Sequence, residues 1–249
     1  MKIIAIMNQK GGIGKTMTAA SIAYILGEEH GKKVLIADTF GTGVNWGFSN
    51  IEVLDSTNAA LVMLFYTIQI YFDFSGYCDM AIGLGRMMNL ELPLNFDSPY
   101  RACTITEFWD RWHMTLTRFF TKYVYIPLGG SRRGRAKTCR NVLLVFLVSG
   151  LWHGANWTFV LWGFCHGVCS VVTRLGERWF KRIPRWIQWL CTFGFLNVTW
   201  VLFRADSVGD AARLLGRILD FTFGGINSSL AAGFFLPECQ LLSSLLPFS

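Results

Sequence analysis

Three stretches of this chain hold residues able to do chemistry. The first is Ser149–Trp157, SGLWHGANW, where His153 interrupts apolar residues that run from Val142 to Val148 and from Trp157 to Phe164. An ionisable side chain at membrane depth is costly and marks a functional site by default. A core histidine bonded to a backbone carbonyl is the alternative that residue type leaves open. The second stretch places Trp109, His113 and Leu116 on one stripe at helical spacing, where His113 taken alone reads as a packed core histidine. The third is KGGIGKT, Lys10–Thr16, between a strand pattern at Met1–Asn8 and an apolar helix pattern at Thr18–Leu26. There the backbone of Lys10, Gly11, Gly12 and Gly14 would cradle phosphates at a helix N-terminus. Lys15 would reach the outer phosphates and Thr16 would ligate Mg²⁺, so ATP with Mg²⁺ is the ligand this motif predicts. Asp38 ends a second strand pattern, Lys33–Ala37, and joins that nucleotide set.

The elements that must position these groups read as membrane helices. Of 249 residues, 52% are hydrophobic and 16% charged, against roughly 25% charged in a soluble domain. The net charge of +7 comes from short clusters between apolar runs, chiefly Arg132–Arg140 and Arg174–Arg185. Such clusters read as cytoplasmic loops and argue against a nucleic-acid partner. Seven cysteines without a CxxC pair read as reduced packing residues, not as a disulfide framework or zinc site.

A membrane helix is expected from Ala59 to Phe72, breaking at Ser75-Gly76 and continuing to about Met88; an interfacial turn with solvated acids is the alternative. Leu92–Tyr100 is a loop punctuated by Pro93 and Pro99. Thr104 and Glu107 form a capping box that opens a helix to about Tyr123. Asn141–Thr173 suits a pair of short buried helices with His153 near the inner end, at the bottom of a cavity. Trp186–Phe203 is a further span, Ser207–Asp210 caps an amphipathic helix, and Ile226–Leu246 is a weak final span.

With those residues in view, QIYFDFSGYCDMAIGLGRM, ITEFWDRWHMTLTRFFTKYVYIPLGGSRRG, LVSGLWHGANWTFVLWG and WVLFRADS, in that order, resemble the membrane-bound O-acyltransferase (MBOAT) family, alginate O-acetylation proteins above all. The resemblance covers about residues 51–220. It implies a multi-helix fold with a tunnel joining a cytoplasmic thioester donor, acetyl-CoA or an acyl-carrier thioester, to a hydroxyl on an exported polysaccharide such as alginate. It makes His153 the membrane-embedded active-site histidine and His113 the second histidine beside it, with no metal in that site. Asp73, Tyr77, Trp152 and Asn156 are then candidate cavity residues. Extracytoplasmic acyl-transfer partner proteins and a multi-pass place in the inner membrane follow from the same resemblance.

Residues 1–39 resemble instead the start of the chromosome-partitioning and septum-site (ParA/MinD-like) ATPases, although Phe40 stands where that family has a second acidic residue. The chain is therefore expected to be a mainly α-helical multi-span membrane protein, MBOAT-like and incomplete, with a short N-terminal βαβ P-loop fragment. The boundaries expected are 1–39 for that fragment, 40–55 for a junction and 56–249 for the acyltransferase region. A truncated or chimeric form of the acyltransferase is the expectation for the whole, with a ParA/MinD-like P-loop ATPase or an inactive chimeric membrane fragment as the alternatives.

Overall fold

The computed structural model describes residues 28–232, and everything described is helix or connecting loop. The chain runs α1 (Glu28–Ser49), α2 (Ser56–Met87), α3 (Ile105–Arg111), α4 (Met114–Phe120), α5 (Arg135–His153), α6 (Trp157–Leu175), α7 (Glu177–Phe180), α8 (Arg185–Arg204), α9 (Val208–Leu219) and α10 (Ser228–Ala232). Three of these, α2, α6 and α8, are long and apolar enough to cross a membrane.

The expected strand Lys33–Ala37 is instead part of α1, and Asp38 sits on an exposed helical face rather than at a strand end. Tertiary packing overrides the β-branched local pattern. Lys33 pairs with Asp79 of α2, and Gly47 lets α1 approach α2 so closely that a Cβ there would lie 2.3 Å from Val62. Lys10–Thr16 and the strand and helix patterns around them lie outside the described residues.

The expected break at Ser75-Gly76 does not form. Helix α2 continues through both residues, which are buried in its packed face. Asp55 caps its start by accepting from the Asn58 amide at 2.8 Å. That start is also tied to the far end of the region. Ser56 N–H donates to the Thr222 carbonyl at 2.8 Å and its hydroxyl to the Arg217 carbonyl at 2.7 Å. Thr222 N–H returns to the Ser56 hydroxyl at 3.0 Å. Asn58 donates to the Gly225 carbonyl at 3.1 Å and accepts from Asn227 N–H at 2.9 Å.

The Thr104 cap holds: its hydroxyl accepts from Glu107 N–H at 3.1 Å, while the Glu107 carboxylate accepts from Cys103 N–H at 2.9 Å. The helix beyond it is not continuous to Tyr123. It stops at Arg111 and restarts at Met114, because His113 adopts a left-handed conformation with φ of 45°. The loop 92–100 makes this break. Asp97 N–H donates to the Arg111 carbonyl and Met114 N–H to the Asn95 carbonyl, each at 3.0 Å. Both sides of the break thus find partners outside the helix.

The helix pair expected over Asn141–Thr173 is present as the antiparallel hairpin α5–α6. Gly150 and Gly163 face each other there: a Cβ on Gly163 would lie 2.4 Å from the Phe146 carbonyl oxygen, and one on Gly150 would lie 2.4 Å from that of Phe159. Small residues at a crossing let two backbones touch, which is how helices pack in lipid. His153 is the last residue of α5, at the hairpin turn. It lies one helix length, about 28 Å, from the basic residues at Arg135 rather than near them. The expected span Trp186–Phe203 is α8, and Ser207 caps α9, accepting from Asp210 N–H at 3.0 Å. Of the expected final span, only α10 lies among the described residues.

Candidate active site

The α3–α4 break and the hairpin turn bring the two histidines to one cavity of about 340 Å³. Its walls are Ile70, Asp73 and Phe74 from α2, Trp109, Trp112, His113 and Leu116 from the broken helix, Trp152 and His153 from α5, Trp162 from α6, and Trp200 and Phe203 from α8. Trp109, His113 and Leu116 therefore share a wall as their spacing predicts, in spite of the break. Both histidines are half-buried, and Asp73 and Trp152 are exposed at the rim.

His153 is boxed by aromatic rings: Trp152 and Phe203 at 5.0 Å between centroids and Trp162 at 5.3 Å, all near-perpendicular. Edge-to-face packing of this kind fixes a ring without offering it a proton partner. His113 is held differently. Its Nδ1 lies 3.2 Å from Asn95 Oδ1, and that oxygen also accepts from Thr115 N–H at 3.1 Å and from its hydroxyl at 2.9 Å. Because the Thr115 backbone N–H can only donate, the Asn95 atom is the oxygen, and His113 Nδ1 must carry the proton. The lone pair is then on Nε2. Burial first, and the neighbouring His153 second, push the His113 pKa down to about 4, so the ring is neutral near pH 7. A neutral ring fixed this way can accept a hydrogen bond at Nε2 but cannot donate one there.

Asn95 was not singled out by sequence, since one asparagine in a Pro-rich loop looks like turn chemistry. Replacing it with alanine frees the His113 tautomer. The expected result is at least a tenfold fall in transfer rate, on the order of 1.4 kcal/mol, with the protein's melting temperature in detergent as the control for folding. A rate equal to wild type would show that the tautomer does not matter.

Two of the sequence-predicted cavity residues are elsewhere. Tyr77 is 64% exposed, outside the lining. One further turn of unbroken α2 carries it about 6 Å along the axis past Asp73. Asn156 is exposed and structural: its Oδ1 accepts from Thr158 N–H to cap α6, and its Nδ2 donates to the Asp206 carbonyl at 2.8 Å. Asp73 and Trp152 do line the cavity. His166 went unread in the sequence and is fully buried behind the cavity wall. An ionisable residue four positions after Trp162 in an apolar span was the available signal. Among the described residues, no group of three or more His, Cys, Asp or Glu side chains is placed to hold a metal.

Comparison with known proteins gives a consistent picture. The model described as MBOAT, membrane-bound O-acyltransferase family, matches residues 46–206, and one described as AAA domain matches residues 1–65, in agreement with the phosphate-cradle motif. The chain is 47% identical over 188 residues to a peptidoglycan O-acetyltransferase of Helicobacter pylori, covering 74% of this chain and 36% of that protein. It is 44% identical over 191 residues to the probable alginate O-acetylase AlgI of Pseudomonas putida, covering 76% and 39%. A teichoic acid D-alanyltransferase of Streptococcus thermophilus is 31% identical over 128 residues, covering 49% and 30%. The chain thus spans a little over a third of the length of its first two relatives. The matched region contains both histidines, the break and hairpin that bring them together, and all three apolar helices: the chain belongs to the membrane-bound O-acyltransferase family.

Proposed function

We propose that this chain takes part in O-acyl transfer, moving an acyl group, acetyl for preference, from a thioester to a hydroxyl of an exported polysaccharide of the alginate or peptidoglycan kind. The observation that carries the reading is the shared cavity of His113 and His153 with opposite surroundings, one ring boxed by aromatics and the other anchored to Asn95. His153 takes the proton as the hydroxyl oxygen attacks the thioester carbonyl. The new C–O bond forms, the C–S bond breaks, and the proton returns from His153 to the leaving thiolate. His113 orients the reacting groups through its Nε2 lone pair; as a neutral acceptor it is not the group that polarises the carbonyl. Acetyl-CoA and an acyl-carrier thioester are both compatible donors. A multi-pass place in the inner membrane, with partner proteins completing the transfer outside, belongs to the same reading, and the three apolar helices support its membrane part.

The test uses membranes carrying the 249-residue chain, alginate or peptidoglycan fragments, and acetyl-labelled CoA or carrier protein. Alkali-labile label on the polymer is expected, and it should vanish when both histidines are replaced by alanine. Equal labelling by that double variant, or none by the unmodified chain, would overturn the reading.

A further inference from the structure

A second cavity, about 280 Å³, lies against the first and is lined by Val142, Val145, Phe146 and Phe120 among others. Only Trp109 and Leu116 line both cavities, so these two side chains are the wall between them. Leu116 is held by packing alone, whereas the Trp109 indole is fixed by a directed bond. Its Nε1–H donates to His166 Nδ1 at 3.2 Å, and His166 Nε2 lies 3.1 Å from the Thr199 hydroxyl. Since indole can only donate, Nδ1 accepts and Nε2 carries the ring proton to Thr199. Thr199 in turn donates to a carbonyl of its own helix, at 3.0 Å to Phe195 or 3.1 Å to Leu196. A chain of bonds from α8 through the fully buried His166 of α6 thus ends on one aromatic ring of the cavity wall.

We propose that Trp109 is a specificity-determining residue that limits the length of acyl group the histidine cavity accepts, and that His166 is the positioning residue that holds it shut. This rests on the acyl-transfer reading above. With the indole in place, the reacting carbonyl sits in a cavity with a closed back wall, which suits a short chain such as acetyl. With the wall removed, the second cavity becomes continuous with the first, and its side formed by Phe120, Val142, Val145 and Phe146 receives additional methylenes, while Asp110 and Arg174 also line it. Each methylene that gains or loses an apolar pocket shifts selectivity by about 10–200-fold.

The experiment compares acetyl, butyryl and octanoyl thioesters as donors with membranes carrying the full chain. Unmodified protein is expected to favour acetyl. Trp109→Ala and His166→Leu should raise the octanoyl-to-acetyl rate ratio by at least about tenfold, while His166→Asn, which keeps an acceptor near the Nδ1 position, should hold it near the unmodified value. A purely structural role for His166 would lower all three donors alike and leave the ratio unmoved, and that result overturns the proposal. If neither variant accumulates in the membrane, Leu116→Ala opens the same wall without touching the latch, and an unchanged ratio there overturns it equally. Absence of transfer from every donor in unmodified protein would instead count against the underlying reaction.

Discussion

His153→Ala is expected to lower the transfer rate by about 10²–10⁴, the range that removal of a positioned general base produces. At the lower bound this is on the order of 2.7 kcal/mol of transition-state stabilisation. The surroundings make the effect attributable to the imidazole. Trp152, Trp162 and Phe203 pack against the ring but carry no group able to take the hydroxyl proton. Asp73, the carboxylate on the lining, stands at the exposed rim. His153→Gln keeps much of the side-chain volume and a hydrogen-bonding end without a base, so it should be nearly as slow as the alanine variant. Recovery of activity in the glutamine variant would move His153 from base to positioning residue, and full activity in both would remove it from the reaction.

Gly163→Leu is expected to separate α5 from α6 and abolish both a cooperative melt and transfer, with Gly163→Ala intermediate at a cost of about 1–3 kcal/mol. The Cβ at position 163 would meet a backbone carbonyl oxygen at 2.4 Å, and backbone cannot rotate aside as a flexible side chain does. Relief requires the helices to part where Gly150 and Gly163 touch. His153 is three residues beyond Gly150, so the same displacement moves the reacting imidazole. Gly194→Ala in α8 is the control, because nothing lies within 4 Å of where its Cβ would stand; it should be neutral or slightly stabilising, as alanine favours helix over glycine. A detergent-solubilised melting temperature unchanged by Gly163→Ala would show that the hairpin is not close-packed.

The spans, the hairpin and the caps at Thr104, Asn156 and Ser207 were open to sequence reasoning up to differing points, and the reasons are local. Apolar runs of helix length and side chains that bond their own next turn leave a signature within a few residues; Asn156, though, was read for its place beside His153 and not for its cap. The failures are all non-local. The break at Trp112-His113 has neither glycine nor proline to announce it, since it is made by Asn95 and Asp97 bonding across from another segment. The expected break at Ser75-Gly76 had such a residue, but it is buried inside a continuous helix. Lys33–Ala37 reads as strand by its branched residues, yet lies in a helix laid along α2. His153 and His113 were found because motif and resemblance pointed to them. His166 was passed over because its significance depends on Trp109, 57 residues away in the chain.

The bonds joining Ser56 and Asn58 to the segment Arg217–Asn227 have a topological consequence. They fasten positions more than 150 residues apart in sequence to one corner of the molecule, so the helices that build the cavity form a closed circuit. Closing so long a loop is entropically little worse than closing a short one, because the cost grows only with the logarithm of its length. Once it is clasped, the chain enters and leaves the circuit side by side. Of the described sequence before the clasp, α1 packs along α2 and places Val44 in the core with Trp112 and Trp200, without lining the cavity of His113 and His153. The two ends of the catalytic circuit are therefore held together at that corner by the bonds of Ser56 and Asn58.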